Sequence, residues 1–312
     1  MICITNHERY LAKILFKNRI YQYKGQQFED FFVNIMCKKD PNFQPVKAYG
    51  NIGDKKNDGF NKTTGTYYQV YAPEDATKNI TIADMVNKLE KDFEGLYAYW
   101  NSICKIKNYF FVVNDKYAGV AATVNKKIIE LSNRTEYSDV SIELLTSKDL
   151  ERIFNELDDA SILDVVGFLP SEELPIIEFE ALNETVSYLL NVELPDKYDE
   201  TLFVPDFEKK IEFNNLSEVV CNQLITGSYQ EGILRQYFND SPGVNELLQK
   251  RFHYFYEQSK IDIPDVQENY ADLRFYYILD CACTKRNLAI TTCVVVLMAY
   301  YFSSCDIFEE PK

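Results

Sequence analysis

Apolar positions recur at helical spacing in the first part of the chain. Residues 8–18 form a short amphipathic stretch, and 26–38 (QQFEDFFVNIMCK) place Phe28, Phe31, Phe32, Ile35 and Met36 on one helical face. After the turn residues Asp40-Pro41-Asn42 the pattern changes to short strand-like runs at 45–49, 58–61 and 66–72. These are punctuated by GNIGDKKN and NKTTG and closed by Pro73. A long helix is expected over 81–102, with Ile82, Met85, Val86, Leu89, Phe93, Leu96 and Tyr97 apolar. Strand 109–114, helix 119–132, strand 140–145 and helix 147–156 follow. This alternation predicts a mixed sheet flanked by helices, an α/β unit over residues 1–165.

Residues 166–197 differ in texture. Pro170, Pro175 and Pro195 interrupt an acidic stretch that reads as a helical connector. From 198 to 312 the periodicity is almost wholly helical, with helices expected at 205–226, 229–238, 242–259, 267–280 and 285–303. The apolar run Leu288–Phe302 spans 15 residues with two Thr inside. That is short of the roughly 20 needed to cross a bilayer, so a buried helix is expected and no membrane partner. The start, MICITNHERYLAKILFK, reads as polar caps and a helix rather than a secretory signal.

Charge separates the two halves. Residues 1–165 carry 22 Lys and Arg against 23 Asp and Glu, whereas residues 166–312 carry 11 against 25, a net of −14 within a total of −15. A chain that bound nucleic acid over its whole surface would be basic; here only the near-neutral first half suits such contact. The acidic half suits a protein partner. The eight Cys include no CxxC and the chain has two His, so zinc-site chemistry and His-based nucleophilic catalysis are disfavoured. Small buried thiols in a reduced, cytoplasmic protein are the expectation.

The candidate chemistry lies around Asp58. Phosphodiester hydrolysis on a restriction-endonuclease-like frame needs carboxylates and a carbonyl to hold Mg²⁺ or Mn²⁺, and commonly a Lys near the attacking water. The usual layout is an Asp opening one strand, an acidic or Gln residue on the next, and a Lys two residues further on the same face. Asp58 opens a strand in NDGF, and Gln69 follows eleven residues later in YYQVYAP, sharing a face with Tyr71 while Val70 points into the sheet. Glu29 lies on the preceding helix and Asp54 in the turn before Asp58. The Lys position holds Tyr71. Lys88 in NKLEKDF is the expected replacement, with Lys55, Lys56 and Lys78 as alternative phosphate contacts. Plainer readings exist for each: Asp58-Gly59 as a hairpin turn, Glu29 as a surface residue, Gln69 as a core residue, Asp54 as a turn cap, Lys88–Asp92 as a solvated i,i+4 pair.

The stretch AYGNIGDKKNDGFNKTTGTYYQVYAPED, between FEDFFVNIM and VNKLEKDFEGLYAYW, resembles the nuclease-like N-terminal PD-(D/E)xK domain of ABC-three-component, Lamassu-type anti-phage systems. FEKKIEFNNLSEVV and VVVLMAYYFSSCDIFEEPK resemble the C-terminal domain of the same components. The resemblance implies a DNA endonuclease effector controlled by an SMC-like ATPase that docks through the C-terminal domain. It further implies double-stranded DNA at the N-terminal domain, a small third subunit, and self-association on activation. On this likeness Glu29, Asp58 and Gln69 match the family's metal positions and Tyr71 departs from its Lys; Asp54, read from its place before Asp58, is a further supporting carboxylate. The rival reading is a nuclease-dead DNA-binding or adaptor subunit.

Overall fold

The computed structural model describes residues 4–47, 55–167, 169, 174–194, 207–241, 243–304 and 307–310. The chain divides into two compact units: Met1–Thr5 with Arg19–Val166, and Asn6–Asn18 with Gly167–Lys312. Helix α1 (Asn6–Gln22) is thus divided between them.

In the first unit α2 (Gln26–Lys39) buries Phe28, Phe31, Phe32, Ile35 and Met36, the face its periodicity predicts. Five strands follow in the order β1 (Phe43–Pro45), β2 (Gly59–Asn61), β3 (Thr66–Tyr71), β4 (Asn108–Val113) and β5 (Ser141–Leu145), which is also their order in one sheet. β1–β2 and β2–β3 pair antiparallel; β3–β4 and β4–β5 pair parallel. Each parallel pair needs a crossover. α3 (Asn79–Trp100) supplies the first and α4 (Ala122–Ser132) the second.

β1 starts two residues earlier than the pattern predicts, because Phe43 rather than Val46 supplies the buried anchor, and Pro45, without an N–H, closes it. The rest of the expected strand, from 48, lies outside the described residues. The β2–β3 turn closes on Asn61, whose Oδ1 accepts from Thr63 N at 2.8 Å and Thr64 N at 3.1 Å. Gly65 follows at φ 69°, where a Cβ would lie 2.6 Å from the Lys105 carbonyl. Helices α5 (Ser147–Asn155) and α6 (Asp159–Val166) end the unit. α6 has no counterpart in the sequence reading; its Ile162, Val165 and Val166 are buried.

The second unit is helical: α7 (Phe179–Leu190), α8 (Phe207–Phe213), α9 (Glu218–Ser228), α10 (Glu231–Asp240), α11 (Val244–Asp262), α12 (Tyr270–Ala282) and α13 (Leu288–Ser303). α13 is apolar on every side and buried, with α7, α9, α10, α11 and α12 around it. Among the described residues no helix is long and apolar enough to cross a membrane. The single helix expected over 205–226 is two. Asn215 takes φ 53°, and Ser217 then caps α9 by accepting from Val220 N.

Lys210 on α8 is 1% exposed; its Nζ donates to the Phe302 carbonyl at 3.0 Å, a cation at the C-terminal end of α13. Lys210→Ala is expected to cost about 2–4 kcal/mol in urea unfolding through a cavity and the loss of a charged donor at the helix end. Lys210→Met, which keeps the volume, should cost less; equal losses would remove the helix-end interaction from the account.

Candidate active site

The β2–β3 ladder is extended by one residue before β2, where Asp58 N donates to the Tyr68 carbonyl at 2.9 Å. Ahead of it Lys55 and Lys56 take φ of 55° and 64°, so the chain leaves the strand direction. Asp58 Oδ2 then accepts from Val70 N at 2.6 Å and from Gln69 Nε2 at 2.8 Å. The side chain thereby supplies an acceptor where the neighbouring strand has ended. Asp58 is 2% exposed and Gln69 5%.

Alternation places Tyr67, Gln69 and Tyr71 on the face of β3 that α3 covers, in one core with Met85, Leu89, Phe93, Leu96, Tyr109 and Phe111. Tyr68 faces the other way, against Phe32 of α2 and Phe43. Tyr71, at the end of the strand, stacks on Phe111 with ring centroids 6.0 Å apart.

Lys88, the expected replacement for the absent Lys, approaches Tyr71 and is engaged by Asp92. Its Nζ is 6.0 Å from the centre of the Tyr71 ring and 2.5 Å from Asp92 Oδ2. Asp92 Oδ1 meets Lys56 Nζ at 2.8 Å. The Lys88–Asp92 pair is therefore buried on its acidic side: the Asp92 side chain is 3% exposed and bridges two partly exposed lysines, one from α3 and one from the loop entering Asp58. Tyr109 is buried within the electrostatic reach of both acids and bonds neither. Burial pushes its phenol well above the ordinary range, and the charges of Asp92 and then Asp58 push the same way. The Tyr109 hydroxyl is buried with no partner among the described residues, as are Gln69 Oε1 and Asn57 Nδ2.

The sequence reading missed Asp92 and Tyr109 as members of this cluster. The signal for Asp92 was present: positions 85, 89, 92 and 96 form one helical stripe, so Asp92 interrupts the apolar face of α3. Asp92→Asn is expected to cost about 1–2 kcal/mol, since the released lysines can turn to water. Denaturation of wild type and variant at low and high salt checks this; a loss unaffected by salt would contradict an ionic role.

Glu29 sits on α2, the helix that packs on the Tyr68 side, and its carboxylate accepts from Gln26 Nε2 at 3.0 Å. The structure shows it engaged there rather than with Gln69. Asp54 lies outside the described residues. Among the described residues no three His, Cys, Asp or Glu side chains gather as a metal cage.

The donors at the strand ends nonetheless fit a hard divalent ion. Mg²⁺ commonly takes one or two carboxylates and completes its shell with water and phosphate oxygens. Asp58 offers a carboxylate. As an acceptor it fixes the Gln69 amide with NH₂ toward itself, which leaves Gln69 Oε1 buried without a donor. A cation would satisfy that oxygen.

Residues 180–309 match the family model for C-terminal domain 10 of the ABC-three component (ABC-3C) systems. The match lies within the second unit, and the Asp58 cluster lies outside it. No curated protein and no solved structure matches the chain.

Proposed function

We propose that the first unit is a restriction-endonuclease-like, metal-dependent DNA endonuclease, the effector of the ABC-3C system whose C-terminal domain the chain carries. The observation that carries this reading is the Asp58–Gln69 pair: a buried carboxylate that fixes the Gln69 amide and leaves its oxygen buried without a donor. The sheet order supports it, with the Asp and Gln on adjacent antiparallel strands and a helical crossover after the second.

A bound Mg²⁺ or Mn²⁺ would supply polarisation of a phosphodiester oxygen and a lowered pKa for the attacking water. Asp58 and Gln69 Oε1 would hold it, with Asp54 as a supporting carboxylate; Glu29, the further position the resemblance implies, is left out of this set because it is held by Gln26 on the Tyr68 side. Lys88, standing in for the Lys absent at Tyr71, would offset charge developing on the phosphate, and Lys56 would help neutralise the backbone. Nuclease work falls to the first unit and partner docking to the second, to which α7, within the stretch read from the sequence as a connector, belongs. The acidic second half fits docking on a partner, for which an SMC-like ATPase is our candidate.

A nuclease-dead adaptor is the second reading, favoured by the Tyr71 ring at the Lys position and by the bonds that already occupy Asp58. The deciding experiment incubates the full chain and its ABC-3C partner proteins with linear and circular DNA, Mg²⁺ or Mn²⁺, and chelator controls. Metal-dependent cuts support the nuclease. Intact DNA together with no heat of Mn²⁺ binding supports the adaptor.

A further inference from the structure

Residues 174–178 lie in the second unit, just ahead of α7 and of the residues that match the C-terminal domain family. The segment is extended. Pro175 has a fixed φ and keeps Leu174 out of the helical region, and Glu178 takes φ −93° and ψ 135°. The Gln230 side-chain amide holds one edge of it. Gln230 Nε2 donates to the Pro175 carbonyl at 3.0 Å, and its Oε1 accepts from Ile177 N at 2.9 Å. These are the two groups a neighbouring strand would take on that edge, so one glutamine stands where a strand would.

In an extended chain the N–H and C=O of one residue point to one edge, and those of its two neighbours to the other. The N–H and C=O of Ile176 therefore face away from Gln230. Among the described residues neither has a hydrogen-bond partner, and Ile176 is 78% exposed. Pro175 does not interrupt this outer edge, because its nitrogen lies on the Gln230 side. Among the described residues the second unit has no strand that could cover it.

Beside the segment runs a groove of about 240 Å³, bounded on its other side by the first turn of α13. Ile176, Ile177, Leu288 and Ala289 give it apolar walls, and Leu288 is 41% exposed. Phe179, next in the chain after the lining residue Glu178, is 52% exposed. Bare edges are commonly blunted by charge or a bulge; here large apolar side chains stand beside one. Strand addition uses these two parts, main-chain groups for affinity and a pocket for alternate side chains. Charge selects the occupant. Glu178 is the only charged residue among the described residues that line the groove, and residues 167–196 hold seven Asp and Glu with no Lys or Arg. A second copy of the chain would set this acidic stretch against itself, whereas a segment flanked by Lys or Arg is attracted to it.

We propose that the edge at Ile176 receives an extended segment of an ABC-3C partner protein, which adds to it as a β-strand. The segment pairs with the Ile176 N–H and C=O, sets an apolar side chain in the groove and carries basic residues toward Glu178 and Glu180. This rests on the docking role proposed for the second unit and is independent of the nuclease reading.

The test mixes the full chain with each of its ABC-3C partner proteins, without DNA or metal. Calorimetry at low and high salt reads affinity, and mass spectrometry reads amide exchange across 174–178. One partner should slow exchange at the Ile176 amide by about ten-fold or more, with an affinity that falls as salt rises. Ile176→Pro removes the outward N–H and leaves both Gln230 bonds, so it should weaken that affinity about ten-fold, the effect of one lost main-chain bond. Glu178→Gln together with Glu180→Gln should weaken it too and flatten its salt dependence. Binding that leaves the Ile176 amide unprotected, or that Ile176→Pro does not weaken, overturns the proposal while the docking role stands. No binding by any partner overturns both. Protection that grows with the concentration of the chain alone gives the edge to a second copy and overturns the choice of occupant. Exchange at Ile176 is read in the wild type, so it decides the matter even where the proline variant does not fold.

Discussion

Asp58→Asn is expected to abolish Mn²⁺ binding by the first unit and to lower DNA cleavage about a thousand-fold, while leaving the chain folded. A coordinated metal is worth several kcal/mol of charge stabilisation, and about 4 kcal/mol is three decades of rate. Asn keeps the shape of Asp58, and because Val70 N and Gln69 Nε2 donate to the same oxygen, an amide oxygen in the place of Oδ2 can still accept from both. The two bonds survive as neutral ones, which holds the stability loss to about 1 kcal/mol. Asp58→Ala is a poorer probe: it strands the Val70 N–H and the Gln69 amide together and confuses folding with chemistry. Calorimetric titration with Mn²⁺, urea unfolding and DNA cleavage on the same preparations separate the two. Undiminished Mn²⁺ heat in Asp58→Asn would remove Asp58 as a metal ligand.

The pairing of Asp58 with Gln69 was legible in the sequence because local physics dictates it. The turn residues of NKTTG limit how far β2 and β3 can slip, and with Phe60 opposite Tyr67 the next outward pair on that face is Asp58 and Gln69. The helices were legible for a similar reason, since α2 and α13 declare their burial through the spacing of their apolar residues. Asp92 was not read correctly because Lys88–Asp92 satisfies the i,i+4 rule whether the pair stands in water or in the core. Local spacing cannot separate those cases, and only the apolar stripe of α3 does. Lys56 is a different failure: its bond to Asp92 depends on where a loop carries it, which no periodicity encodes. The break at Asn214–Leu216 was passed over because helical spacing continues through it, although the Asn-Asn-Leu-Ser sequence carries the αL residue and the cap that divide it.

Gly59→Ala is expected to destabilise the first unit by about 2–3 kcal/mol, a large cost for one methyl group. Gly59 is a strand residue of ordinary φ, so backbone strain is not the cause. The Phe43 ring lies across its Cα, and an added Cβ would stand 2.1 Å from Phe43 Cζ and 2.6 Å from Cε2. The ring has little room to withdraw, since it is 6% exposed and meets Phe32 at 6.3 Å and Tyr68 at 5.7 Å between centroids. An aromatic ring from the next strand thus occupies the place of the missing side chain. Because Asp58 precedes Gly59, any shift of β2 that relieves the clash also moves the Asp58 carboxylate away from Val70 N and Gln69, so Mn²⁺ affinity should fall with stability. Phe43→Leu supplies the control. Alone it costs about 1–2 kcal/mol through lost contacts, but with Gly59→Ala it makes room for the methyl group, so the double variant should be more stable than the sum of the singles predicts, by about 1–2 kcal/mol. Urea unfolding of the four proteins measures that coupling. Strict additivity would mean that the ring is not what requires glycine after Asp58, and the reason would then lie in the turn that Asn57 Oδ1 makes with Gly59 N at 3.1 Å.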